Sequence, residues 1–166
     1  MKNTLLFMAG FRTLPNIQLT IDVHFGATNI DSLIAYDQFV LKNGDYDKDF
    51  DILVDTRNMD WDFVISDIEV YVQKLLELNG AISNKNKIAT IYSSPHQLAY
   101  TYIVQKEFAK VNQQMEFFRE LAPAIKWLKK SITTEEVECI IMEIKENPLF
   151  IWTNEDSEFE SLTYNF

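Results

Sequence analysis

Two short runs constrain this chain more than anything else in it. Phe50-Asp-Ile-Leu-Val-Asp55 and Lys87-Ile-Ala-Thr-Ile-Tyr92 are apolar and rich in β-branched residues, and an amphipathic stretch with helix-start signals follows each. Parallel strands need a crossover of a dozen or more residues between them, so strand then helix, stated twice, predicts a parallel sheet. Such sheets gather functional side chains beyond the carboxyl ends of their strands. Those ends are expected at Asp55 to Arg57, at Ser93 to His96 and at Arg119.

The flanking segments extend the pattern. Thr4 to Phe11 and Ile17 to Phe25 are strand-like, and the turn signal Leu14-Pro15-Asn16 between them predicts an antiparallel hairpin. In the second of these strands Leu19, Ile21, Val23 and Phe25 alternate with Gln18, Thr20, Asp22 and His24, which places His24 in the polar phase. A helix is predicted over about Asn29 to Leu41, introduced by Thr28 and Asp31, and a second near Ser66 with Glu69 closing a capping box. Ser94-Pro95-His96-Gln97 opens a third, Met115 to Phe118 is a last strand, and Ala122 to Lys130 a short helix. Residues 1–130 therefore read as one α/β domain with a mixed, mostly parallel sheet and an N-terminal antiparallel hairpin.

Residues 131–166 form a C-terminal extension. Thr133 and Glu136 start a helix with an apolar ribbon of Val137, Ile140, Ile141 and Ile144, and Asn147-Pro148 ends it. Leu149 to Trp152 and an acidic stretch, Glu155 to Glu160, follow. The extension is expected to dock on the domain or on a second copy, which would make a homodimer.

Composition narrows the function. Among 166 residues, 25 are acidic and 15 basic, a net charge of -10, which repels a phosphate backbone and argues against nucleic-acid binding. One cysteine, Cys139, leaves no intramolecular disulfide or multi-cysteine metal site and points to a cytoplasmic protein; flanked by Val137, Ile140 and Ile141, it reads as a small buried hydrophobe. No apolar run reaches the roughly 18 residues that cross a bilayer, so a transmembrane protein is not expected.

Several landmarks occur in a telling order: Phe25-Gly-Ala-Thr-Asn-Ile-Asp31, Asp45-Tyr46 ahead of Leu53-Val-Asp-Thr-Arg57, Ile88-Ala89 with Ser94-Pro95, and Phe117-Phe-Arg119 leading to Ala124-Ile-Lys-Trp-Leu128. Over residues 1–130 this order resembles the SpoIIAA-like family of STAS-type domains, which is related in fold to CRAL-TRIO lipid-binding domains. The resemblance implies a mixed sheet with helices largely on one face, and a regulatory or protein-binding role more often than catalysis. The phosphorylatable Asp-Ser-Ser/Thr-Gly segment of the classical antagonists is replaced here by Asp62-Phe-Val-Ile-Ser66, so only Ser66 could stand in for its serine; Ser94, at a helix start, is the other phosphosite candidate.

The chemistry-bearing candidates are few. Arg57, Ser93, Ser94, His96 and Arg119 follow three strands and would meet at one rim as an anion site, with backbone N–H groups at the Ser94 helix start. Arg57 has Asp55, Asp60 and Asp62 as competing partners, and Ser66 and Ser94 each have a sufficient role as helix caps. An apolar cavity below the rim would draw on Trp61, Phe63, Tyr71, Tyr92, Tyr100, Tyr102, Phe117, Phe118 and Trp127, although aromatic packing needs no ligand. No catalytic motif, metal-ligand spacing or cofactor-binding loop stands out. The expectation is a non-enzymatic regulatory or protein-interaction module without cofactor or metal. The alternative is a carrier of a small anionic molecule or lipid headed by Arg57, His96 and Arg119.

Overall fold

A computed structural model describes residues 6–61, 64–78, 83 and 85–153. Strands β1 (Leu6–Leu14) and β2 (Leu19–Thr28) form the hairpin, joined by a single 3-10 turn at Pro15–Ile17. Gln18, at φ 51°, closes that turn in the left-handed region. Helix α1 (Ile30–Lys42), β3 (Asp51–Trp61), α2 (Ile65–Glu77), β4 (Lys87–Ile91), α3 (Pro95–Ala109) and β5 (Gln114–Phe118) follow in strict alternation. Two helices, α4 (Leu121–Leu128) and α5 (Thr134–Glu146), precede a short β6 (Phe150–Thr153).

The sheet order is β5-β4-β3-β2-β1-β6. β2, β3, β4 and β5 are mutually parallel, and β1 is antiparallel to both its neighbours. The runs beginning at Phe50 and Lys87 are thus parallel neighbours, with Asp55 level with Ile91 and Ile91 with Phe118.

The alternation dictates where the helices go. Successive parallel strands step in one direction across the sheet, and right-handed crossovers then put α1, α2 and α3 on the same face. After β5 the chain returns across the opposite face, where α4 covers β4 and β5 and α5 covers β1 and β2. Both faces are therefore buried, a correction to the expectation of helices largely on one face. Phe7, Ala9, Phe11, Met59 and the inner residues of α1 to α3 make one core, and Leu19, Ile21, Val23, Leu53, Ala89 and Ile91 make the other with α4 and α5.

The C-terminal extension docks on its own chain. Val137, Ile141 and Ile144 are buried against the second core, and Phe150 to Thr153 add an edge strand to β1. Gly10 permits the approach, since a Cβ there would lie 2.9 Å from Ile144 Cγ2 and 3.2 Å from the Leu149 nitrogen. Cys139 is exposed, not buried. At 100° per residue, the phase that sends 137, 141 and 144 inward turns 139 outward. The acidic stretch at Glu155 to Glu160 lies outside the described residues.

Helix starts differ in detail from the sequence expectation. Asn29 caps α1, its side chain accepting from Ser32 N at 2.9 Å while Ser32 Oγ accepts from Asn29 N. α2 starts at Ile65, and Asp67 accepts from Val64 N at 2.9 Å, so Ser66 is not its cap. Ser94 does cap α3, accepting from Gln97 N. Among the described residues, no helix is long and apolar enough to cross a membrane.

Candidate functional site

β3 runs on to Trp61, six residues past the expected end at Asp55, so Arg57 lies within a strand. Past the end of β4 it pairs with β2 alone, with an extra residue inserted where the register passes from Val23↔Asp55 to Phe25↔Asn58. This bulge shifts the phase of the strand. Ile52, Val54, Thr56, Met59 and Trp61 face α1–α3, whereas Asp55, Arg57 and Asn58 reach α5. The carbonyls freed beyond β4 are taken up by Gln97, whose Nε2 donates to Thr56 O at 2.9 Å and Met59 O at 3.0 Å.

The five rim residues have different partners. Arg57 donates to Asp55 Oδ1 at 2.9 Å and to both Glu138 oxygens at 2.9 and 3.0 Å, and these hydrogen bonds, Glu138's first, push its pKa up. Asp55, 1% exposed, also has Lys145 Nζ at 3.5 Å. Ser93 Oγ donates to Arg57 O at 2.8 Å, which ties the segment after β4 to the middle of β3. Ser94 is engaged as a cap. His96 is exposed in the first turn of α3, edge-on to Tyr100 at 4.7 Å between ring centres. Arg119 is exposed at the end of β5, and Ser66 is exposed on α2.

A second constellation lies between the sheet and α1–α3, around a cavity of about 150 Å³. Its floor is Ile52 and Val54 of β3, Ile88 and Thr90 of β4, and Phe117 of β5; Trp61, Ile68, Tyr71, Val104 and Phe108 contribute to the walls. Ile52, Val54 and Ile88 sit on central strands under helices and still retain accessible surface, which the cavity accounts for. Of the aromatics expected around such a space, Trp61, Tyr71 and Phe117 line it. Phe118 and Trp127 pack in the opposite core, Tyr102 is exposed, and Phe63 lies outside the described residues.

One end of this cavity is polar. Asp22 and His24 project from β2, Asp37 from α1, Tyr71 from α2 and Tyr46 from the loop after α1. Asp22 Oδ1 accepts from Tyr36 OH at 2.6 Å, and Asp37 Oδ2 accepts from Tyr71 OH at 2.8 Å. His24 Nε2 is 3.2 Å from Asp22 Oδ2, a distance that suits an ion pair, but the two are too poorly aligned for a hydrogen bond. The Thr90 hydroxyl, also buried, has no partner.

Burial controls the charges here. It raises the Asp37 carboxyl to about 7, against the opposing help of the Tyr71 hydroxyl and His24, and Asp22 adds to the rise. For His24 burial alone would lower the pKa; Asp22 above all, with Asp37 and Asp55, outweighs it and the net shift is upward. Burial and the same carboxylates raise Tyr36, Tyr46 and Tyr71, so these phenols stay neutral donors. Among the described residues no three His, Cys, Asp or Glu side chains are grouped to hold a metal ion.

Sequence reasoning passed over Asp22, His24 and Asp37. Asp22 and His24 share the polar phase of β2, which reads as solvent-facing only while one face of the sheet is assumed open. The signal was available in the run Leu19 to Phe25: two buried faces turn its polar residues into interior ones. The chain matches no protein-family model, and neither the curated proteins nor the solved structures compared with it include a match.

Proposed function

We propose that this is a non-enzymatic domain that binds a small, largely apolar molecule between the sheet and α1–α3. The observation that carries the reading is the unfilled space over Ile52, Val54 and Ile88, bounded at one end by the buried His24 and the half-buried Asp22, Asp37 and Tyr71. Native interiors are packed to crystal density, and a void of this size in the centre of a domain forfeits dispersion contacts that a ligand would restore. A cavity of about 150 Å³ is enough for one small ring. An anionic headgroup is not part of this reading, because Arg57 is turned to the α5 face and neither His96 nor Arg119 lines the cavity.

Kinship with the SpoIIAA-like and STAS-type domains belongs to the same proposal, supported by the antiparallel hairpin that leads into three parallel crossovers. A regulatory or protein-interaction role is a second reading. It is favoured by Val64 and Ile65, exposed at the start of α2 on the edge where β3 ends. Affinity purification should then recover a stoichiometric partner that Val64→Ser plus Ile65→Ser releases.

The binding reading is tested with benzene as probe. Methyl NMR of the full chain should show saturable shifts confined to Ile52, Val54, Ile88 and their neighbours, and Val54→Phe should abolish them. Shifts that fail to saturate, or that persist in the filled variant, would refute it.

A further inference from the structure

We infer that the cavity is built for a small amine: a protonated nitrogen set against Asp37 and Asp22 at the polar end, with a ring-sized apolar body over Val54, Ile88 and Phe117. This rests on the binding reading above and adds the class of ligand.

Charge complementarity is the first argument. Among the described residues, no lysine or arginine lines the cavity; its ionisable side chains are Asp22, Asp37, His24 and the neutral phenols of Tyr46 and Tyr71. A carboxylate or phosphate would enter a space bounded by two acids. An ammonium group meets acceptors on two elements, β2 and α1. The chain's net charge of -10 favours approach of a cation from solution.

The second argument is unsatisfied capacity. Among the described residues the Tyr71 hydroxyl is the one side-chain donor to Asp37, at Oδ2, and the half-buried carboxylate has capacity to accept more. His24 Nε2 and the Thr90 hydroxyl, more than nine-tenths buried, hold polar atoms without an aligned partner among the lining residues. Buried polar groups are almost always paired, so these two groups around one space mark places where a ligand or water completes the set.

Burial sets the charge at Asp37 first, with Tyr71 from α2 and His24 and Asp22 from β2; the neutral phenols of Tyr36 on α1 and Tyr46 in the loop after it also face this group. An ammonium stabilises the ionised carboxylate, so taking up the amine requires Asp37 to lose its proton. With the carboxyl at about 7, its ionised fraction grows about tenfold between pH 6 and pH 8, and amine affinity should grow by the same factor.

The test uses three probes of one shape with the full chain: benzylamine, benzyl alcohol and benzoate, titrated by methyl NMR at pH 6 and pH 8. Benzylamine should bind tightest, tighten about tenfold over that range, and lose its advantage over benzyl alcohol in Asp37→Asn. Benzyl alcohol should still bind that variant, which shows that it folds. If benzyl alcohol or benzoate binds wild type as well as the amine, or the preference survives Asp37→Asn, the amine inference is overturned while the cavity reading stands. If none of the three binds, both are overturned.

Discussion

Asp37→Asn makes the sharpest prediction, because the sign of its effect on stability reverses the usual one for removing a charge. In the folded protein the Asp37 carboxyl titrates near 7, against 3.8 in the free side chain. Between those values the native state holds a proton that the unfolded chain has released, so stability falls as pH rises, starting near pH 4 and ending just above pH 7. At 1.36 kcal/mol per pKa unit, the loss between pH 5 and pH 8 comes to roughly 2.5 kcal/mol, and screening by water in the cavity brings it to about 2 kcal/mol. Asparagine keeps the size and the acceptor for Tyr71 but does not titrate. Urea denaturation of wild type and Asp37→Asn at both pH values should show the variant gaining about 2 kcal/mol on wild type at pH 8 relative to pH 5. His24 titrates in both proteins, so to first order the difference isolates Asp37. A pH-independent difference, or one of opposite sign, would mean the carboxyl is not held in its neutral form and would remove the electrostatic account of the cavity's polar end.

Two further outcomes test the framework around the cavity. Arg57→Ala leaves the buried Asp55 with the backbone N–H of residue 57 at 3.0 Å and Lys145 at 3.5 Å, and should cost about 2 kcal/mol in urea denaturation, less than a fully buried pair because the Arg57 side chain is 27% exposed; a loss under about 0.5 kcal/mol would show that the α5 clamp is not structural. Thr90→Val removes an unpartnered hydroxyl and should stabilise the protein by about 1 kcal/mol, whereas Thr101→Val, which deletes a 2.8 Å hydrogen bond to Leu98 O, should destabilise it by a similar amount. Equal signs for the two threonines in the same denaturation assay would refute the assignment of satisfied and unsatisfied groups.

Local pattern was enough to determine the alternating strands and helices, the opening hairpin, the parallel pairing of the Phe50 and Lys87 runs and the Ser94 cap, because each depends on residues close along the chain. The amphipathic phase of α5 was equally legible, and Val137, Ile141 and Ile144 are the residues it buries. Three things were decided only by the tertiary structure. Whether the polar phase of β2 meets water or protein depends on how many layers cover the sheet, and that is what turns Asp22 and His24 inward. The bulge in β3 depends on its pairing with β2, and that is what returns Met59 and Trp61 to the α1–α3 face, while the docking of α5 is what gives Arg57 its partner Glu138. The cavity itself is a sum over three helices and four strands, a volume left where side chains fail to meet. No single segment encodes it, since packing is a property of pairs of surfaces that the chain brings together only on folding.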